Sequence, residues 1–150
     1  MNRLRLKFQR LWRDADSMLE LRLALAGGGY EAWEDVYMYP DSIQLFAMQL
    51  KAFTGEVSEE AILEAGSTEP NALNWVRLRA YAVDSLGHSA IQFASSRNGT
   101  PLYEHKFDFS RPIEVAALNE MGNALEAWIT SDDAFFDFEA RSDSSGGASA

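Results

Sequence analysis

A chain of 150 residues and 16.8 kDa has the size of one domain. Its 47% apolar and 24% charged residues exclude a wholly disordered chain, a collagen-like chain and a membrane bundle. The lack of cysteine excludes disulfides, zinc–thiolate sites, iron–sulfur clusters and a cysteine nucleophile, and the net charge of −10 argues against general nucleic-acid binding, because phosphate backbones demand Lys and Arg.

The chain opens Met1-Asn2-Arg3-Leu4-Arg5-Leu6-Lys7-Phe8, where charges interrupt any apolar run a secretory signal would need. No segment approaches the roughly 20 apolar residues of a membrane span. A cytoplasmic location without a membrane partner is the expectation. Leu4, Leu6 and Phe8 alternate with Arg5 and Lys7, which predicts a half-buried strand. Residues 1–14 hold Arg3, Arg5, Lys7, Arg10 and Arg13 against Asp14. Two readings stand for this basic stretch: a nucleic-acid arm, or an edge strand whose outward Arg5 and Lys7 discourage pairing between molecules. The second is favoured, because five spaced charges are few for a phosphate-binding patch.

Leu19, Leu21, Leu23 and Leu25 predict a second strand, and Gly27-Gly28-Gly29 a turn after it. A third strand follows from about Tyr30 to Met38. One face holds Ala32, Glu34, Val36 and Met38, the other Glu31, Trp33, Asp35 and Tyr37, so both faces are mixed and its inward side stays open. Tyr39-Pro40-Asp41-Ser42 starts a helix, with Asp41 or Ser42 as cap and Ile43, Phe46, Leu50 and Phe53 as one apolar stripe. Gly55 is placed to close it. Residues 56–71 are acidic and without clear period, a connection with a short strand or helical turn around Ala61-Ile62-Leu63.

Three further strands follow: Val76 to Ala82, a short one at Ile91 and Phe93, and one carrying His105, Phe107 and Phe109. Asp84 to Gly87 and Asn98-Gly99 mark the turns between them. A second helix opens at Ser110 with Pro112 in its first turn, and presents Val115, Leu118, Met121, Leu125 and Trp128. The expected fold is α+β: an antiparallel sheet of about six strands with two helices on one face, in the order β-β-β-α-β-β-β-α. Residues 1–130 form the single domain, and 131–150 form an acidic tail, disordered at least from Ser142 and unusual for its Phe135, Phe136 and Phe138.

Catalytic signals are missing. His88 and His105 lie on separate elements with no metal-ligand motif. Asp84, Ser85 and His88 could be assembled into a triad on paper, but no Gly-x-Ser-x-Gly elbow supports it. Glu31, Glu34, Asp35, Glu59 and Glu60 are acids that nothing sets opposite one another. The glycine triplet has none of the spacing of a phosphate loop. No catalytic residue, cofactor or metal site is therefore expected. Trp33, Tyr37, Trp75 and Tyr81 all fall on strands, and two readings stand: anchors of an interface, or rings covering a second buried face.

The layout resembles the small bacterial immunity proteins of polymorphic toxin systems, in particular the WapI-type immunity family. The resemblance rests on the hairpin leading into Tyr39-Pro40-Asp41-Ser42, on Thr68-Glu69-Pro70 before the next strand, and on Gly87-His88 followed by strands and the helix from Ile113 to Trp128. It covers residues 17–129. It implies a cytoplasmic, non-enzymatic protein that neutralises a cognate toxin, a basic nuclease domain for instance, with no nucleic-acid partner of its own. The partner-binding surface expected on that reading is Trp33, Glu34, Asp35, Tyr37 and Trp75. A hydrolase with paired carboxylates, and an assembly module whose residues 131–140 dock on a partner or on its own sheet, are the alternatives.

Overall fold

The computed structural model describes residues 3–141. Its elements are β1 (Arg3–Arg13), β2 (Leu19–Gly27), β3 (Tyr30–Met38), α1 (Pro40–Ala52), β4 (Glu60–Gly66), β5 (Asn74–Ala82), β6 (Ser89–Arg97), β7 (His105–Pro112), α2 (Val115–Ile129) and β8 (Phe135–Arg141). The α+β class and the antiparallel pairing are as expected. The single sheet is not: the strands form two four-stranded sheets, β3-β2-β1-β8 and β4-β5-β6-β7. Two strands account for the difference. The acidic connection holds a full strand, β4, because Ala61, Leu63 and Ala65 alternate inward between Glu60, Ile62 and Glu64. The expected tail holds β8, in which Phe136 and Ala140 are buried and whose backbone pairs with β1 from Phe135 to Arg141. The part of that tail beyond residue 141 lies outside the described residues.

β8 also moves β1 from the edge into the interior of its sheet. Arg5 faces Asp137 with both Nε–Oδ1 and Nη2–Oδ2 at 3.2 Å, and Arg3 meets Glu139 at 3.5 Å, so these arginines pair across strands where they were expected to guard an edge. Gly28 and Gly29 both adopt positive φ (61° and 86°), which a two-residue hairpin between β2 and β3 requires. Pro40 occupies the first turn of α1, as expected, but Tyr39 holds the cap position with no side-chain bond to the helix. β7 runs through Pro112, so α2 begins later, at Val115 with Glu114 before it.

The two helices are crossovers between edges. α1 carries the chain from β3, an edge of the first sheet, to β4, an edge of the second; α2 returns it from edge strand β7 to edge strand β8. The inner faces of both sheets and the apolar stripes of both helices share one core, centred on Phe8, Phe46, Leu50, Phe93, Leu118 and Leu125. The helices meet at Gly122. A Cβ there would lie 2.7 Å from Ala47 O and from Lys51 N. Asn119, one turn earlier, donates to the carbonyls of Leu50, Lys51 and Phe53 at 2.9–3.2 Å and so caps α1 from its neighbour. Arg10 does the same for α2: it donates to the carbonyls of Trp128, Ile129, Ser131 and Asp133, and its guanidinium lies 4.1 Å over the Trp128 ring.

Gly122→Ala should lower the unfolding free energy by about 1–3 kcal/mol, because the helix backbones must separate. Asn123→Ala, on the exposed side of the same turn, should leave it unchanged or raise it by a few tenths. Urea titration of both variants measures the contrast; equal stability would show that the close approach does not constrain the helix pair.

Candidate functional site

The outer face of the first sheet is built by strict alternation. Leu4, Leu6 and Phe8 of β1, the leucines of β2 and Phe136 of β8 point into the core, so Arg5, Lys7, Arg22, Ala24, Trp33 and Asp137 share the opposite face. The pairing registers set them in rows. One row runs Trp33, Ala24, Lys7, Asp137, and the next Asp35, Arg22, Gln9, Phe135. Ala24 offers only a methyl group between two exposed rings, Trp33 at 48% and Phe135 at 59% of full exposure. The result is a concavity of about 370 Å3 with Ala24 as floor and the two rings as walls.

Two cations line it. Arg22 holds Asp35 with two bonds, at 2.8 and 3.1 Å, and its guanidinium lies 4.1 Å above the Trp33 ring. The hydrogen bond to Asp35 raises the Arg22 pKa still further, so this residue stays charged. Lys7 makes no ion pair among the described residues, since Asp137 beside it is taken by Arg5. The site is therefore a ring-walled cavity lined by a planar cation, held by Asp35 against the Trp33 wall, and by the Lys7 ammonium. A concavity of this volume is at the small end of the range for ligand pockets.

The structure divides the expected partner surface. Trp33, Asp35 and Tyr37 stand together on this outer face, with Tyr37 exposed and opposite Glu20. Glu34 does not belong with them. Alternation turns it inward, where it is 1% exposed, and its carboxylate meets Arg97 Nη2 and His105 Nε2, both at 2.8 Å. Trp75 sits on the second sheet, half-buried, its Nε1 donating to Glu64 Oε2 at 2.6 Å with Arg77 5.7 Å from the ring. Lys7, Arg22, Ala24 and Phe135 were not singled out as site residues. The first three follow from the alternation of β1 and β2 once the neighbour order is known. Phe135 was hidden because its segment read as a tail.

Among the described residues two carboxylates have clearly shifted pKa values, Glu59 and Asp84, and both move down. Glu59 is held by the Thr54 hydroxyl and the backbone N–H groups of Thr54, Gly55 and Glu56; Asp84 is held first by His88, whose Nδ1 lies at 2.8 Å. A general acid needs the opposite shift. Among the described residues no group of three or more His, Asp and Glu could hold a metal ion, and no helix is long and apolar enough to cross a membrane.

No protein-family model matches the chain, and no curated protein matches it. Two solved structures share its fold. The plant transcriptional regulator PBF-2 superposes with a TM-score of 0.50 over 86% of this chain and 78% of its own, at 8% identity. WHY3 from Arabidopsis thaliana superposes with a TM-score of 0.50 over 86% of this chain and 82% of its own, at 9% identity. At these identities the likeness is one of fold. That finding overturns the toxin-neutralising function drawn from the layout, the basic toxin domain as partner, and the exclusion of nucleic acid. The exclusion rested on total charge. On the outer face of the first sheet Arg3, Arg5, Lys7 and Arg22 stand against Glu20, Glu31, Asp35, Asp137 and Glu139, close to neutrality.

The two neighbours Trp33 and Glu34 should behave oppositely. Trp33→Ala should change stability by no more than about 0.5 kcal/mol. Removing a partner of the buried carboxylate, by Arg97→Ala, should cost about 3 kcal/mol. Thermal melts of the two variants check this, and an Arg97→Ala melt equal to that of the parent would place Glu34 in solvent.

Proposed function

We propose that the protein is a non-enzymatic module that binds single-stranded nucleic acid on the outer face of its first sheet. The observation that carries the reading is the pair of exposed rings, Trp33 and Phe135, set across the Ala24 floor with Lys7 and Arg22 between them. An unpaired base has two free π faces and every base has them, so ring platforms flanked by cations bind single strands with little regard for sequence. A duplex hides those faces inside its stack and leaves the platform nothing to grip. Arg3, Arg5 and Lys7 lie on the same side of β1 at about 6.8 Å per pair of residues, a row along which a backbone can run. The fold shared with a transcriptional regulator supports the same class of partner.

Net charge sets the character of the binding. With few unpaired cations, stacking carries the affinity and phosphate contacts add little. A fluorescently labelled 12-nucleotide single strand, titrated by anisotropy, should bind while the matching duplex does not. Trp33→Ala or Phe135→Ala should each weaken binding by about 1–3 kcal/mol, the loss of one stacked base. The logarithmic salt slope should be shallow, about −0.7 to −1.4, for one or two phosphates engaged. Equal affinity for the duplex, or a Trp33→Ala variant of full affinity, overturns the reading.

A further inference from the structure

A second concave surface runs along the free edge of β3. β3 ends its sheet. Near its C-terminal end the edge is met by the second sheet, where Asn74 Nδ2 donates to the Asp35 carbonyl. That carbonyl points away from β2. In an antiparallel ladder the N–H and C=O of one residue point the same way, and alternate residues share a direction. The backbone groups of Glu31 and Trp33 therefore also point outward, and among the described residues no hydrogen bond meets them.

Across a groove of about 650 Å3 they face the hairpin between β6 and β7, with Leu102, Tyr103, Glu104 and Phe107. Leu102 and Tyr103 are 87% and 70% exposed, large apolar groups beside an open strand edge. Proteins ordinarily cover or charge such an edge. The charges of this groove are one-sided. Its cation Arg97 is bound, together with His105, to the buried Glu34 carboxylate, whereas Glu31 and Glu104 make no ion pair among the described residues.

We infer that this groove docks an extended, basic peptide segment of another protein, added to β3 as a further strand. Main-chain bonds to Glu31 and Trp33 fix the segment. Its alternate side chains divide by chemistry: apolar ones reach Leu102 and Tyr103, and Lys or Arg ones reach Glu31 and Glu104. A second copy of this chain is a poor occupant, because it brings its own acids to the same edge and a net charge of −10. The groove extends the Trp33 region away from the Lys7 platform, and its occupation does not depend on nucleic-acid binding.

The probe is a labelled nine-residue peptide of alternating lysine and valine, titrated against the full chain at low salt. It should bind saturably, and the glutamate–valine counterpart should not. The same lysine peptide, N-methylated at every second residue and made in both registers, keeps its charge but loses strand pairing. At least one register should bind about tenfold more weakly. The double variant Leu102→Ser, Tyr103→Ser should lose about tenfold for the peptide while binding the 12-nucleotide strand as the parent does. The inference is overturned if the lysine peptide does not bind, if both methylated peptides bind as tightly as the parent peptide, if the double variant keeps full affinity, or if light scattering shows the chain alone paired with itself through this edge.

Discussion

The carboxylate of Glu34 is the pivot of this fold. It lies on the inward side of an edge strand of one sheet and is gripped by Arg97 and His105, cross-strand partners at one end of β6 and β7 in the other. A carboxylate removed from water is tolerated only when paired and hydrogen-bonded, and here two donors reach its two oxygens. An apolar residue at this position would pack just as well but would fix no angle between the sheets. Asn74 adds a second tie, from β5 to the Asp35 backbone. Between them they set where the β6–β7 hairpin stands relative to β3. The width of the edge groove follows from that placement, while the outward side of β3 stays free for Trp33 and Tyr37.

The acidity of the chain and a nucleic-acid partner are compatible only through locality. Screening confines the influence of a surface charge to about 8–10 Å at ordinary salt. Acids such as Glu56, Glu69 and Glu114 lie in loops or before helix α2, outside the rows that carry Lys7 and Arg22. The face itself is nearly balanced, and most of its cations are engaged: Arg5 by Asp137, Arg3 by Glu139, Arg22 by Asp35. Such a surface cannot hold a duplex by phosphate contacts. What it has in surplus is ring area, which selects for ligands that expose flat faces.

How much of this was legible depended on whether a residue's role was set by its neighbours in sequence. β2 could be read whole, since Leu19, Leu21, Leu23 and Leu25 leave one inward choice, and α1 could be read from Pro40 and its stripe. β3 could not be oriented. Its inward side contains Glu34, and the partners that make that burial possible lie 63 and 71 residues further on. A glutamate flanked by a tryptophan and an aspartate looks like surface until those partners are placed. β8 failed for a related reason. Phe136 and Ala140 mark a buried face, but Asp137 and Glu139 gave the segment the composition of a tail, and only Arg5 and Arg3 opposite them explain the acids. The basic first strand and the acidic last one were each noticed alone; their complementarity is the signal that joins them. That eight strands divide into two sheets of four, where about six were expected in one, was equally out of reach, since pairing order is not written in periodicity.

That last strand has a consequence for the site. Phe135 is one wall of the cavity, and it arrives only when the end of the described chain returns to β1. Its return is prepared by Arg10, which belongs to β1 yet caps the C-terminal end of α2 and accompanies the turn through Ser131 and Asp133. Phe136, next to it, packs against Phe8 and Trp128 at 5.6 and 5.9 Å between ring centres. Adjacent residues of one strand thus serve opposite faces, Phe136 sealing the core and Phe135 completing the platform. The platform cannot form on a partly folded chain, because its first wall comes from β3 and its second from the closing strand. Ligand capture on this face is therefore coupled to completion of the first sheet, and a single-stranded ligand bridging Trp33 and Phe135 would hold β8 in place in return.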